Sequence, residues 1–186
     1  MERLKHNILV LTVIMVGMLS FALTVEYASL EELTLESNSI IYGRIKSSFS
    51  QWEDRNIYTY STVEILDDVK GGLNDKREIV VKQLGGTVGE IGQDVNGSPK
   101  LKQNSEVFLF LVKWKNNYWI HSIILGYYEV IERDGGKFAV NNFNNIHLID
   151  PVTKKPVKDT GKIKTSYELN SLITDVKGFI REGGLR

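Results

Sequence analysis

His121 and Ser122 put a base beside a hydroxyl, the first pair in this chain whose types suggest chemistry. An imbalance of geometry argues against it: an imidazole activates a hydroxyl only within hydrogen-bond reach, and neighbours on an extended strand point to opposite faces. No Gly-x-Ser-x-Gly elbow surrounds any serine. Asp67-Asp68 offers two carboxylates for acid and base work, yet adjacency at a strand end reads as a solvated turn. His147 stands alone and His6 falls in the N-terminal segment ahead of an apolar run, with no His-Glu-x-x-His, no helical His pair and no acidic loop of calcium spacing. No metal and no cofactor is expected. Leu84-Gly85-Gly86-Thr87-Val88-Gly89-Glu90-Ile91-Gly92 suggests a phosphate cradle, but it lacks the lysine and hydroxyl of a P-loop and opens no helix. It reads instead as a mobile loop or bulged hairpin whose rim continues through Asn96 to Leu101.

Aromatic side chains are the remaining means of recognition, because exposed Trp and Tyr bury large area at small entropic cost. Trp52 falls in the polar segment Ser47–Asn56, which reads as a connection between strands, and Trp114 stands beside the Asn116-Asn117 turn. Tyr58, Tyr60, Tyr118, Trp119, Tyr127 and Tyr128 read mainly as core or half-buried strand residues. The candidate binding surface is therefore Trp52, Gly86, Gly89, Gly92 and Trp114.

Strands must carry these residues. Ile40–Ile45 and Ile57–Leu66 are rich in β-branched and aromatic residues, and in the second Ile57, Thr59, Ser61, Val63 and Ile65 share one face. Lys70-Gly71-Gly72 breaks the chain before Glu78–Leu84. Val107–Trp114 is apolar on both alternating faces, as a strand of a closed or doubly covered sheet must be. Tyr118–Leu125 returns, and Gly126–Ile131 with Lys137–Val140 forms a hairpin around Asp134-Gly135-Gly136. Ser29-Leu30-Glu31-Glu32 has capping-box spacing and predicts a short helix ending before Ile40. Leu169, Leu172, Ile173, Val176 and Ile180 predict an amphipathic helix over 166–181. Strands joined by short turns with no helices between them point to a mainly β fold, a small antiparallel barrel or sandwich over 29–148. A lysine-rich loop over 149–165 links it to the C-terminal helix.

Arg3 and Lys5 precede the uncharged run Ile8–Val25, and Ser20-Phe21-Ala22 sets small residues at −3 and −1 of a cut. Residues 1–22 have the pattern of an export signal. The run also approaches the roughly 20 residues that span a bilayer, so an uncleaved anchor reaching about residue 25 stays open, and it is the chain's one expected membrane contact. Either way the protein is extracytoplasmic, secreted or anchored. With 186 residues, 23 basic against 23 acidic side chains and no cysteine, the chain lacks the basic excess of a nucleic-acid binder. It also lacks thiol chemistry and disulfide staples.

The series Leu30-Glu31-Glu32-Leu33, Ser37–Ile45 with Tyr42-Gly43-Arg44, Val63–Gly71 with Val69-Lys70-Gly71, Glu78–Val81 and Ser105–Leu111 resembles the netrin-like domain of the tissue inhibitors of metalloproteinases and their bacterial relatives. The resemblance implies an OB-like barrel with an accompanying helix, acting as a protein-binding module. Those inhibitors chelate the protease zinc through an N-terminal cysteine, and no cysteine exists here, so that mode of inhibition is excluded. The expectation is an exported, non-catalytic module for an unidentified protein partner, with a secreted or envelope protease as one candidate. A glycan-binding envelope protein is the alternative, and an enzyme using Ser122 or a carboxylate pair would need a convergent pocket.

Overall fold

The computed structural model describes residues 23–73, 75–142, 146–157 and 164–184. The leader expected over residues 1–22 and part of the lysine-rich segment lie outside them. Among the described residues twelve strands and two helices follow in the order β1 (Leu23–Glu26), α1 (Leu30–Glu36), β2 (Ser39–Glu53), β3 (Asn56–Asp68), β4 (Glu78–Leu84), β5 (Gly86–Val88), β6 (Ile91–Gln93), β7 (Glu106–Trp114), β8 (Asn117–Ile120), β9 (Tyr127–Arg133), β10 (Gly136–Val140), β11 (Ile146–Ile149), β12 (Ser166–Glu168) and α2 (Leu169–Gly183). Among the described residues no helix is long and apolar enough to cross a membrane.

Five strands close a ring. β2 pairs with β3, β3 with β4, β4 with β8, β8 with β7, and β7 returns to β2. Of the barrel and the sandwich that the strand pattern allows, this ring is the barrel. It is not wholly antiparallel, because β4 meets β8 in parallel at Val81 and Tyr118, and β1 lies parallel to β11 outside the ring. β2 closes the barrel by bending: its register with β3 shifts between Tyr42 and Gly43 and again between Ile45 and Ser47. A Cβ at Gly43 would lie 2.6 Å from the Glu64 carbonyl oxygen, so only glycine fits the first bend.

β7 explains its sequence. Val107, Leu109 and Leu111 point into the barrel with Ile41, Ile45, Val63 and Val81. Phe108 and Phe110 point outward into a second core with Leu33, Tyr128, Leu172 and Val176. Fully burying each such side chain is worth about 1.5–3 kcal/mol. β9, β10 and β12 extend the sheet beyond β7, and both helices pack on this outer face. Glu106 of β7 fastens the extension: it accepts hydrogen bonds from Tyr42 Oη at 2.5 Å, Arg44 at 2.9 Å and Lys137 Nζ at 2.6 Å, the last from β10.

Ser29 and Glu32 form the predicted capping box of α1. Its other end is held by Lys70, whose Nζ donates to the carbonyls of Thr34, Leu35 and Ser37 at 2.6, 3.1 and 2.6 Å. Three strand and helix boundaries need correction. Ser47–Glu53 continues β2 rather than forming a connection, since its serines pair across the ribbon with Thr59 and Ser61. The return strand stops at Ile120, because Ser122 and Ile123 adopt left-handed φ of 49° and 55°. The C-terminal helix starts at Leu169, since Ser166–Glu168 pairs with β10 and Glu168 then caps the helix through Asn170 and Ser171 amides.

Candidate functional site

The helices cover one outer face of the barrel and leave the opposite one open. Beyond the bulge at Lys46, the β2–β3 ribbon projects past the ring, and alternation gives its two sides different chemistry. One side carries Phe49, Gln51 and Glu53 of β2 opposite Tyr60, Tyr58 and Asn56 of β3. Lys82 and Leu84 of β4 continue it through their pairing with Tyr60 and Tyr58. Trp119 of β8 and Trp114 of β7 complete it near the β7–β8 turn.

Lys82 is the centre of this surface. Only 8% exposed, its Nζ lies 4.0 Å from the Tyr58 ring centroid, 5.2 Å from that of Tyr60 and 5.6 Å from that of Trp119. It donates to Glu53 Oε2 at 2.5 Å, and Tyr60 Oη donates to the other oxygen. Burial opposes the Lys82 charge, but the hydrogen bonds and charge attraction of Glu53 and Tyr60 together outweigh it and hold the ammonium above its ordinary value. The hydrogen bonds from Lys82 and Tyr60 hold Glu53 below the usual carboxylate range. Both groups are thus charged at neutral pH, and cation–π attraction orders the surrounding rings.

Around this fixed centre the surface is apolar. Phe49 is 58% exposed and stacks on Tyr60 at 5.3 Å, and Trp114 is 60% exposed with its ring 6.0 Å from Trp119. Leu84 and Val80 of the same face are also exposed. Trp119 shields its indole N–H without a hydrogen-bond acceptor among the described residues. That orphaned donor costs about 1–3 kcal/mol, which a phenylalanine in a purely structural role would avoid.

The candidate residues from the sequence divide between two sides. Trp114 belongs to the aromatic surface. Trp52, 47% exposed, lies on the reverse of the ribbon opposite Ile57, and the glycine segment sits on that reverse side as the short β5–β6 hairpin. Gln93 Oε1 accepts from the Ile57 amide at 2.6 Å, and Thr59 Oγ1 donates to the Gly85 carbonyl at 2.7 Å. A Cβ on Gly86 would fall 2.4 Å from the hydroxyls of Ser50 and Thr59, whereas Gly89 at the hairpin tip, with φ of 61°, has open space around it. Gly92 pairs with Thr87. Phe49, Glu53, Lys82 and Leu84 escape sequence reading: Phe49 and Glu53 sit in a stretch polar enough to pass for a loop, and only strand register brings Lys82 to Tyr60.

Possible catalytic groups also find places. His121 and Ser122 lie in a turn, and His121 instead meets Ser37 Oγ through Nδ1 at 3.2 Å and Glu36 through Nε2 at 3.5 Å. This hydroxyl–imidazole–carboxylate chain came from sequence-distant parts, so no local motif signals it. Ser37 is 3% exposed, which denies a substrate access to the hydroxyl, and burial pushes the His121 imidazole down. Asp68 accepts from the Gly71 and Leu73 amides and Asp67 pairs with Lys177 at 3.5 Å, so the carboxylates serve separate turns. Among the described residues no group of three or more His, Cys, Asp or Glu side chains is arranged to hold a metal ion. Comparison with known protein families, characterised proteins and solved structures finds no match.

Proposed function

We propose that the chain is an exported, non-catalytic binding module that holds a partner protein on the open aromatic face. The observation that carries this reading is the combination of exposed Phe49, Val80, Leu84 and Trp114 around a centre whose polar groups are already engaged. Glu53, Tyr60 and Lys82 bond to one another, so the centre of the face offers little to a ligand seeking hydrogen bonds, and the exposed apolar side chains around it offer much to an apolar protein surface. Rigid aromatic anchors around a centre of satisfied polar groups are the usual energetic core of protein interfaces. Strands two and three of five-stranded barrels of this kind, with the adjoining turns, are a recurrent binding face, and β3, β4 and the β7–β8 turn hold those places. Export is supported by the basic start and apolar run before Leu23. An extracytoplasmic protease is the first partner class to test, on the resemblance described above.

A photo-crosslinking residue at Phe49, expressed from the full chain in a secreting host, tests the reading against the same residue at Asp175 on α2. The expected result is one dominant protein adduct from position 49, absent from position 175 and reduced about 30-fold or more by Trp114→Ala, the loss typical of a Trp anchor. Equal labelling from both positions would overturn it. Adducts that are polysaccharide rather than protein would transfer the face to the glycan reading.

A further inference from the structure

We infer that the barrel mouth beneath the glycine hairpin is a binding site for a small, neutral, hydroxyl-rich ligand such as a sugar. The cleft lies on the reverse of the ribbon, away from the aromatic face, and holds about 450 Å³, within the range of small-molecule sites. Its lining is unusual for a barrel of this size. Val63 and Val81 make the interior apolar at mid-height, but at the mouth the inward positions of β3 and β4 are Thr59, Ser61 and Gln83. Ser61, fully buried and bonded to Ser48 Oγ at 2.8 Å, backs the floor from behind, while Gln83, 9% exposed, and the half-buried Thr59 present polar groups to the cleft, so the polar lining is built into the fold.

Their arrangement leaves capacity for a ligand. Gln83 spends its amide N–H₂ on Ser98 Oγ at 3.3 Å and the Pro99 carbonyl at 2.9 Å. This tethers the far wall and leaves the amide oxygen to accept. Thr59 donates to Gly85 and meets Ser50 at 2.9 Å, and Thr87 brings another hydroxyl from β5. A hydroxyl carries one donor and two acceptor positions, so one or two internal contacts do not exhaust it. Gly86 is essential to the shape, because any side chain there would strike Ser50 and Thr59 and displace the hairpin that roofs the cleft.

Charge fixes the ligand class. The ionic groups of the lining, Asp94 and Lys100, are 83% and 84% exposed at the rim and face each other at 4.0 Å. No ionised side chain lies on the floor with Thr59, Ser61 and Gln83. A phosphate or carboxylate would lose its hydration for hydroxyls and one amide, a poor exchange, whereas a sugar exchanges like for like.

The test is a titration of the isotope-labelled protein with glucose, N-acetylglucosamine and, as charged control, glucose 6-phosphate, followed by amide NMR. Saturable shifts at Thr59, Ser61, Gln83 and Thr87 and the Gln83 side-chain amide are expected with a neutral sugar, and weaker or no response with the phosphate. Thr87→Val alters an exposed side chain and should weaken binding about fivefold, the worth of one hydrogen bond, without changing the rest of the spectrum. Absence of saturable shifts with both neutral sugars, a stronger response to the phosphate, or shifts confined to Tyr58, Lys82 and Trp114 would each overturn the site.

Discussion

Replacing Glu106 by Gln should remove a defined share of stability and of its acid dependence. Burial by itself would raise the Glu106 carboxyl, but hydrogen bonds from Lys137, Tyr42 and Arg44 outweigh it and hold the group at about 2 instead of 4.5. A difference of that size corresponds to about 3 kcal/mol at 1.36 kcal/mol per unit. The side chains of Arg44 and Lys137 are 42% and 44% exposed, so solvent screening reduces the effective figure to about 1–2 kcal/mol. Because the folded state holds the proton less readily than the unfolded chain, the contribution is complete above about pH 5 and is lost as pH falls towards 2. Urea unfolding at pH 7, 5, 4 and 3 gives the comparison. Glu106→Gln should unfold about 1–2 kcal/mol more easily at pH 7, and the gap to the natural protein should narrow at pH 3. A gap that stays constant from pH 7 to 3, or a variant as stable as the natural protein at neutral pH, would refute the reasoning.

Gly86→Ala places a Cβ 2.4 Å from two hydroxyls at a φ of 139°, and should cost about 2–4 kcal/mol in urea unfolding, against about 1–2 kcal/mol for Gly89→Ala, which has the left-handed strain alone. Lys70→Met withdraws the ammonium from three α1 carbonyls and should cost about 1–2 kcal/mol, with hydrogen exchange accelerated first in Leu33–Ser37.

Much of the barrel was legible because its pattern is carried by single strands. The two-faced apolarity of Val107–Trp114 announces burial on both sides, and the capping box at Ser29 and Glu32 needs only local spacing. The long β2 was not legible past Ile45. Its serines bond to Ser61 and Thr59 across the ribbon, which sequence shows only as a polar stretch, so Trp52 reads as a loop residue and Phe49 carries no signal of its own. The aromatic face was half visible: Trp114, Trp119, Tyr58 and Tyr60 are conspicuous as types, but their convergence depends on the β3–β4 register and on β8 meeting β4 at one residue pair. Nothing in the local sequence of Lys82 says that it lies among three rings.

The ribbon's two sides depend on each other. A projecting two-stranded hairpin is marginal in water by itself, and this one owes its order to two fastenings. On one side the Glu53 carboxylate ties the ribbon's end to Lys82 of β4 and to Tyr60. On the other, Gln93 and Gly85 bind the Ile57 backbone from both its amide and its carbonyl. Ile57 itself is fully buried between them. The exposed apolar residues Phe49 and Trp52 therefore stand on a ribbon held rigid from above and below, which lowers the entropy lost when a partner settles on it. Such fastening explains why polar residues occupy so much of β2 and β3: serine, threonine and glutamine side chains serve as cross-ties where the ribbon leaves the apolar core and burial can no longer hold it.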